Sequence, residues 1–157
     1  ELANLGVDLV EQPMARAKSD KDLEQMQALY EKSPLPLIAD ESCVKLQDMT
    51  GIEKCFHGIN IKLTKCSGIT PARVLLQEAR DRKMQVMMGS MNETVIGAAA
   101  IAQFLPQLDF VDMDGPLLLA RPGGIGLSID QGKVTLSGAP GLGIRPTDLP
   151  ENDYQLL

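Results

Sequence analysis

Short apolar runs, each ending in polar or charged residues, recur about every 25 residues along this chain, and that rhythm limits its fold more than any other feature. The runs are VDLVE at 7–11, LIAD at 37–40, INIKL at 59–63, QVMM at 85–88 and FVDM at 110–113. Between them lie stretches with helical spacing. Leu23, Met26, Leu29 and Tyr30 form an apolar stripe on a helix over 22–32, which Ser19 or Asp20 is placed to cap. Thr70-Pro71 opens a second helix through Arg82, and the Ala-rich stretch 94–105 predicts a closely packed third. The stretches 44–49 and 51–55 read as short or broken helix, and 1–5 as a helix end. Strand and helix in alternation predict an α/β fold whose parallel sheet is covered by helices, either a barrel or a doubly wound sheet. After Gly115 the pattern changes. The runs 125–129 and 133–136 alternate around Gln131-Gly132 as a hairpin, and the Gly- and Pro-rich 138–157 is expected over the surface.

Composition narrows the partners. With 157 residues, 44% of them hydrophobic, the chain can bury a core without disulfides. A formal charge of -6 argues against nucleic acid and anionic membranes, because phosphate binding needs clustered Lys and Arg. Aromatic residues make up 3% and Trp is absent, which leaves no base-stacking platform. No apolar run approaches the roughly 18 residues of a membrane span. Cys43, Cys55 and Cys66 are odd in number and lack CxxC spacing, so reduced thiols and a cytoplasmic location are expected.

The polar residues gather where the strands end. Glu11 ends the first run, Asp40 and Glu41 the second, Lys62 and Lys65 the third. Ser90, Asn92 and Glu93 follow the fourth, and Asp112 and Asp114 end the fifth. Parallel strands bring these ends to one face, where α/β barrels build active sites. Charges also simply mark loop starts, but that does not account for charges inside apolar runs such as IKL and VDMDG. Residues two apart share a strand face, so Asn60 points with Lys62. A lysine in such a mouth is costly unless paired or catalytic, and desolvation is expected to lower its pKa toward a general base. Lys65, an odd number of positions away, is not expected on that face while the strand persists. Glu11 and Asp40 offer two hard oxygen ligands for magnesium. With Lys62 they suggest metal-assisted proton abstraction beside a carbonyl. Asp112 and Asp114, expected on one face, suit a substrate ammonium or a second cation.

Other features carry less. Gly123-Gly124-Ile125-Gly126 and Gly141-Leu142-Gly143 precede no helix and lack a dinucleotide-binding context. His57 is expected to be structural, and with no second histidine a Cys–His nucleophile is not expected. Met84, Met87, Met88 and Met91 read as core packing.

Glu11-Gln12-Pro13, Ile38-Ala39-Asp40-Glu41-Ser42, Asn60-Ile61-Lys62-Leu63-Thr64-Lys65, Met88-Gly89-Ser90-Met91-Asn92-Glu93-Thr94 and Asp112-Met113-Asp114-Gly115-Pro116 resemble, in that order, the enolase superfamily. More narrowly, the chain resembles the dipeptide epimerases of its muconate-cycloisomerase-like subgroup, of the L-Ala-D/L-Glu epimerase kind. The Asp-x-Asp-Gly-Pro element carries the narrower likeness, because related cycloisomerases and succinylbenzoate synthases usually lack the paired acids. Thr94 stands where the family more often has Ser.

Enolase-superfamily sites pair a lysine or histidine base with magnesium. The resemblance implies that Glu11 and Asp40 are Mg2+ ligands and that Lys62 is one of two opposed lysine acid/bases. It also implies that Asp112 and Asp114 hold the ammonium of a dipeptide, with Ser90 and Glu93 lining the pocket. The α-carbon of the C-terminal residue would then invert through an enediolate. The family's N-terminal capping domain, its early barrel strands with a Lys-x-Lys motif, and its third carboxylate have no counterpart here. A complete barrel takes roughly 250 residues. The expectation is therefore the C-terminal portion of a (β/α) barrel, about five β-α units, in a longer enzyme. Residues 1–120 would form the last five strands, and 121–157 a hairpin and tail packing on the capping domain. The alternative activity is an o-succinylbenzoate synthase or muconate-cycloisomerase-like enzyme. A reading of another class is that the chain alone is an inactive half-barrel. The identity of the dipeptide and assembly into a homo-oligomer stay open.

Overall fold

Five strands lie side by side in the order in which the chain makes them. The computed structural model describes residues 1–121 and 123–147. The strands β1 (Val10–Glu11), β2 (Leu37–Ala39), β3 (Gly58–Ile61), β4 (Gln85–Gly89) and β5 (Phe110–Asp112) form one sheet in sequential order. The first four pair in parallel. The fifth follows suit, since Asp109 N–H donates to Val86 O and Ser90 N–H donates to Asp112 O, rising together along both strands. A doubly wound sheet reverses its order at a switch point, whereas a barrel wall never does. The sequential order therefore selects the barrel type of winding.

Every residue of β2 and β3 is buried, as expected for parallel strands covered on both faces. The connections are α1 (Asp20–Lys32), a single turn α2 (Leu63–Cys66), α3 (Ile69–Asp81) and α4 (Val95–Ala102). Ser19 caps α1, its side chain accepting from Asp22 N–H. Helix α3 buries Ala72, Leu75, Leu76 and Ala79, the three- and four-residue spacing of one apolar face. Gly58 lets β3 and β4 approach, because a Cβ there would lie 2.6 Å from the Gln85 carbonyl oxygen.

Several elements differ from the sequence expectation, each for a local reason. Strand β1 covers only the end of 7–11, because its partner begins at Leu37, just after Pro36. The segment 44–55 forms two 3-10 turns, Leu46–Met49 and Ile52–Lys54, separated by Gly51 at φ 75°. Helix α4 stops at Ala102 rather than 105, and Pro106 beyond it cannot donate a backbone N–H. Met84, Met87 and Met88 are core residues, but Met91 lies in the loop after β4 and is 49% exposed. Cys43, Cys55 and Cys66 are free and buried.

The contacts divide the chain into two compact units, Glu1–Gly89 with Gln107–Val111, and Ser90–Pro106 with the chain from Asp112. In the second, β6 (Leu127–Asp130) and β7 (Lys133–Leu136) pair antiparallel across Gln131 and Gly132. Both turn residues have positive φ, 46° and 78°, as a tight two-residue hairpin requires. Ile125 stays out of the ladder and bridges Arg145 instead. Helix α4 packs on this hairpin and on the turn Gly115–Leu118. Of the expected surface tail, 148–157 lie outside the described residues. No helix among those described is long and apolar enough to cross a membrane.

Candidate active site

Strands β1, β2 and β3 each deliver one charged side chain at the end of the strand, and the three converge. Lys62, the first residue after β3, donates to Asp40 Oδ2 at 2.7 Å, and its Nζ lies 3.3 Å from Glu11 Oε1. Asn60 Nδ2 donates to the same Glu11 oxygen at 2.6 Å. Asp40 is 5% exposed and Asn60 2%. Strand alternation placed Asn60 and Lys62 together, and the structure agrees.

The same alternation failed for Lys65. The strand ends at Ile61, and the helical turn α2 returns the chain over the strand ends. Lys65 Nζ thus reaches Asp40 Oδ1 at 2.7 Å and Glu41 Oε1 at 3.4 Å. Parity along a strand says nothing once the backbone turns.

The electrostatics follow from this pairing. Burial works to raise the Asp40 pKa, but the hydrogen bonds and charges of Lys62 and Lys65 outweigh it and hold the carboxyl below its ordinary value. Burial pulls the Lys62 pKa down, yet Asp40 and Glu11 hold it above the usual lysine value. The sequence expectation of a lowered lysine pKa is thereby corrected. It weighed desolvation without two carboxylates in contact with the ammonium.

Gln12 is a residue that spacing arguments missed. Its backbone sits at φ 40°, a region that non-glycine residues rarely enter. From there Oε1 accepts from Asp40 N–H at 3.0 Å and from Ser42 N–H at 3.2 Å. Its Nε2 donates to Met14 O and Ser42 Oγ. One amide thus ties the end of β1 to the loop that carries Asp40. The only sequence signal is its place between Glu11 and Pro13.

The remaining site candidates lie in the second compact unit. Ser90 N–H donates to Asp112 O at 2.7 Å, joining the residue after β4 to the end of β5. A Cβ on Gly115 would lie 2.8 Å from Met91 O and 3.0 Å from Glu93 N, so glycine permits that close approach. Glu93 lies against Gly97 at the start of α4. Strand β5 ends at Asp112, and Asp114 precedes a 3-10 turn, so the two acids do not share one strand. The in–out alternation nevertheless persists, with both acids exposed and Met113 buried between them.

His57 is structural, as expected. Its Nδ1 accepts from Leu37 N–H at 3.0 Å, and its ring stacks on Tyr30 with centroids 4.2 Å apart. Burial pushes the Cys43 thiol up to about 12, which rules out a ready thiolate there.

Among the described residues, no group of three or more His, Cys, Asp or Glu is placed to hold a metal ion. Two carboxylates do converge on one positive charge, and Asn60 Oδ1 beside them is buried with no hydrogen-bond partner. Magnesium takes oxygen ligands and commonly keeps several waters alongside one or two carboxylates. The donor set fits such an ion.

The sequence profile of the enolase C-terminal domain-like family matches residues 1–149. This chain belongs to that family. An L-Ala-D/L-amino acid epimerase from Flavobacterium johnsoniae is 44% identical to this family member over 144 residues, covering 92% of the chain. The chain spans 42% of that relative's length. A substrate-liganded L-Ala-D/L-Glu epimerase from Bacillus subtilis matches 94% of the chain and 42% of its own, at 31% identity with a TM-score of 0.81. A dipeptide epimerase from Methylococcus capsulatus, complexed with Mg and L-Arg-D-Lys, matches 91% of the chain and 41% of its own, at 29% identity with a TM-score of 0.79. The five-stranded sheet and its helices are thus the C-terminal part of an enolase-type (β/α) barrel.

Proposed function

We propose that this chain supplies the C-terminal strands of the barrel of a magnesium-dependent dipeptide epimerase. The observation that carries the reading is the convergence of Glu11, Asp40 and Lys62 from three successive parallel strands. Epimerases among the relatives support the reaction class, and a magnesium- and dipeptide-bound relative supports the cofactor and the substrate class.

In this reading Glu11 and Asp40 hold the ion. Magnesium bound there supplies positive charge for the oxygen that becomes negative as the α-proton leaves. Lys62 moves that proton at the α-carbon of the dipeptide's C-terminal residue. As an ammonium it delivers a proton to one face, and as a free amine it removes one from the same face. Inversion needs an opposed base on the other face, which the preceding barrel strands would supply. Asp112 and Asp114 receive the dipeptide ammonium, and Ser90 and Glu93 line its pocket. The three free, buried thiols are compatible with a cytoplasmic setting.

The deciding experiment incubates the full-length protein with magnesium and a dipeptide library in D2O and follows the α-proton by NMR. Exchange with inversion at the C-terminal residue is expected. No exchange with any dipeptide, together with turnover of a succinylbenzoate precursor, overturns the reading in favour of the synthase.

A further inference from the structure

The two ends of the Asn60 side chain meet different fates. Nδ2 donates to Glu11 Oε1 at 2.6 Å, whereas Oδ1 is buried and meets no donor among the described residues. The amide orientation is dictated by its neighbour, since the reverse would set a carbonyl oxygen against a carboxylate. Buried acceptors without a partner are uncommon, because desolvation is then uncompensated. An apolar side chain would fill the position with no polar atom, so packing alone does not explain an amide at this buried position of β3.

Room for the amide comes from the next strand. A Cβ on Gly89 would lie 2.7 Å from Asn60 Nδ2, 2.9 Å from Oδ1 and 2.9 Å from Lys62 Cε. Both Asn60 and Lys62 contact the same Glu11 oxygen, Oε1. That leaves Oε2 as the oxygen to offer elsewhere.

We propose that Asn60 is a positioning residue for the metal: its Nδ2 fixes the Glu11 carboxylate so that Oε2 turns to a divalent cation, and its open Oδ1 accepts from a water of that cation. This rests on the reading of Glu11 as a metal ligand. Asn60 itself touches neither metal nor substrate, and acts through Glu11 and a water.

The test is direct binding of Mn2+ to the full-length protein, read from the EPR signal of the free ion, with no turnover needed. Asn60→Leu keeps the branched outline without polar atoms, and Asn60→Ala adds no bulk if the larger leucine fails to fold. Each is expected to weaken Mn2+ binding by about 10- to 100-fold, the usual loss when a partner of a metal ligand is removed. In a Glu11→Ala background, Asn60→Ala should cost less than in the wild type, because the residue it positions is gone and only the water contact is left to lose. Wild-type affinity in the Asn60 variants overturns the proposal. So does an equal loss in both backgrounds, which would mark a packing effect. If Glu11→Ala alone leaves Mn2+ binding unchanged, the metal reading of Glu11 fails and takes this proposal with it. A protein that shows the expected coupling but exchanges no dipeptide proton supports the role of Asn60 and overturns only the substrate.

Discussion

The Lys62 ammonium sits against two carboxylates, and its removal separates a chemical from a structural role. In Lys62→Met, Asp40 keeps Lys65 at 2.7 Å, so the buried carboxyl is not left without a cation. The fold should therefore survive, as checked by circular dichroism. Epimerisation of the dipeptide by the full-length protein should fall about 10²- to 10⁴-fold, the range of a lost acid/base group. An unchanged epimerisation rate would remove Lys62 from the reaction. His57 gives a second prediction at this scale. Burial holds its pKa below the ordinary 6.5, while Glu53, Arg82 and Lys83 line the hollow beside it. The unfolded chain then takes up the proton first as pH falls. The stabilisation is complete above 6.5 and is lost as pH drops from there toward the folded-state value. The melting temperature should decline over that window. His57→Asn, which keeps an acceptor for Leu37 N–H, should flatten this part of the profile. Residues at strand ends were legible because the period of two fixes their direction. Lys65 and Gln12 were not, since a helical turn and a positive φ redirect them.

Elements were legible in proportion to their periodicity. Strands β2 to β4 and helices α1 and α3 repeat a pattern long enough to read, and each appears within a few residues of its expected place. The two 3-10 turns in 44–55 are too short to show any period; the first packs on α3 and on the second. Gly58 tests how tightly the elements are fitted. A methyl group there would collide with the backbone of β4 at Gln85 and with Ile38 Cδ1 at 2.7 Å. Backbone at that distance cannot swing aside as a flexible side chain would. Gly58→Ala should therefore destabilise the full-length protein by about 1–3 kcal/mol, the usual cost of overpacking. Urea denaturation measures it as a lower midpoint at unchanged slope. A shift within error would mean that β3 and β4 can separate freely. Ser19→Ala, on the same measurement, should cost about 1 kcal/mol through the lost cap of α1.

At the scale of the molecule, the sheet begins at β1 and ends at β5, and among the described residues each of these strands has one side with no partner strand. Such edges expose unpaired N–H and C=O groups and template pairing with other chains. In a closed barrel the wall has no such edges, because each strand pairs on both sides. The strand order was legible only as far as the alternation implied parallel pairing. That the sheet belongs to a larger barrel came from the motifs, not from periodicity. Chemistry and assembly then point to the same experiment. The proposed inversion needs acid/bases on both faces of the α-carbon, and this chain contributes Lys62 from one side. The 157-residue chain expressed alone should therefore self-associate on sedimentation and epimerise no dipeptide. Co-expression with the preceding part of the protein should restore both a discrete species and activity. Turnover by the isolated chain would show that one lysine serves both faces and would overturn the two-base reading.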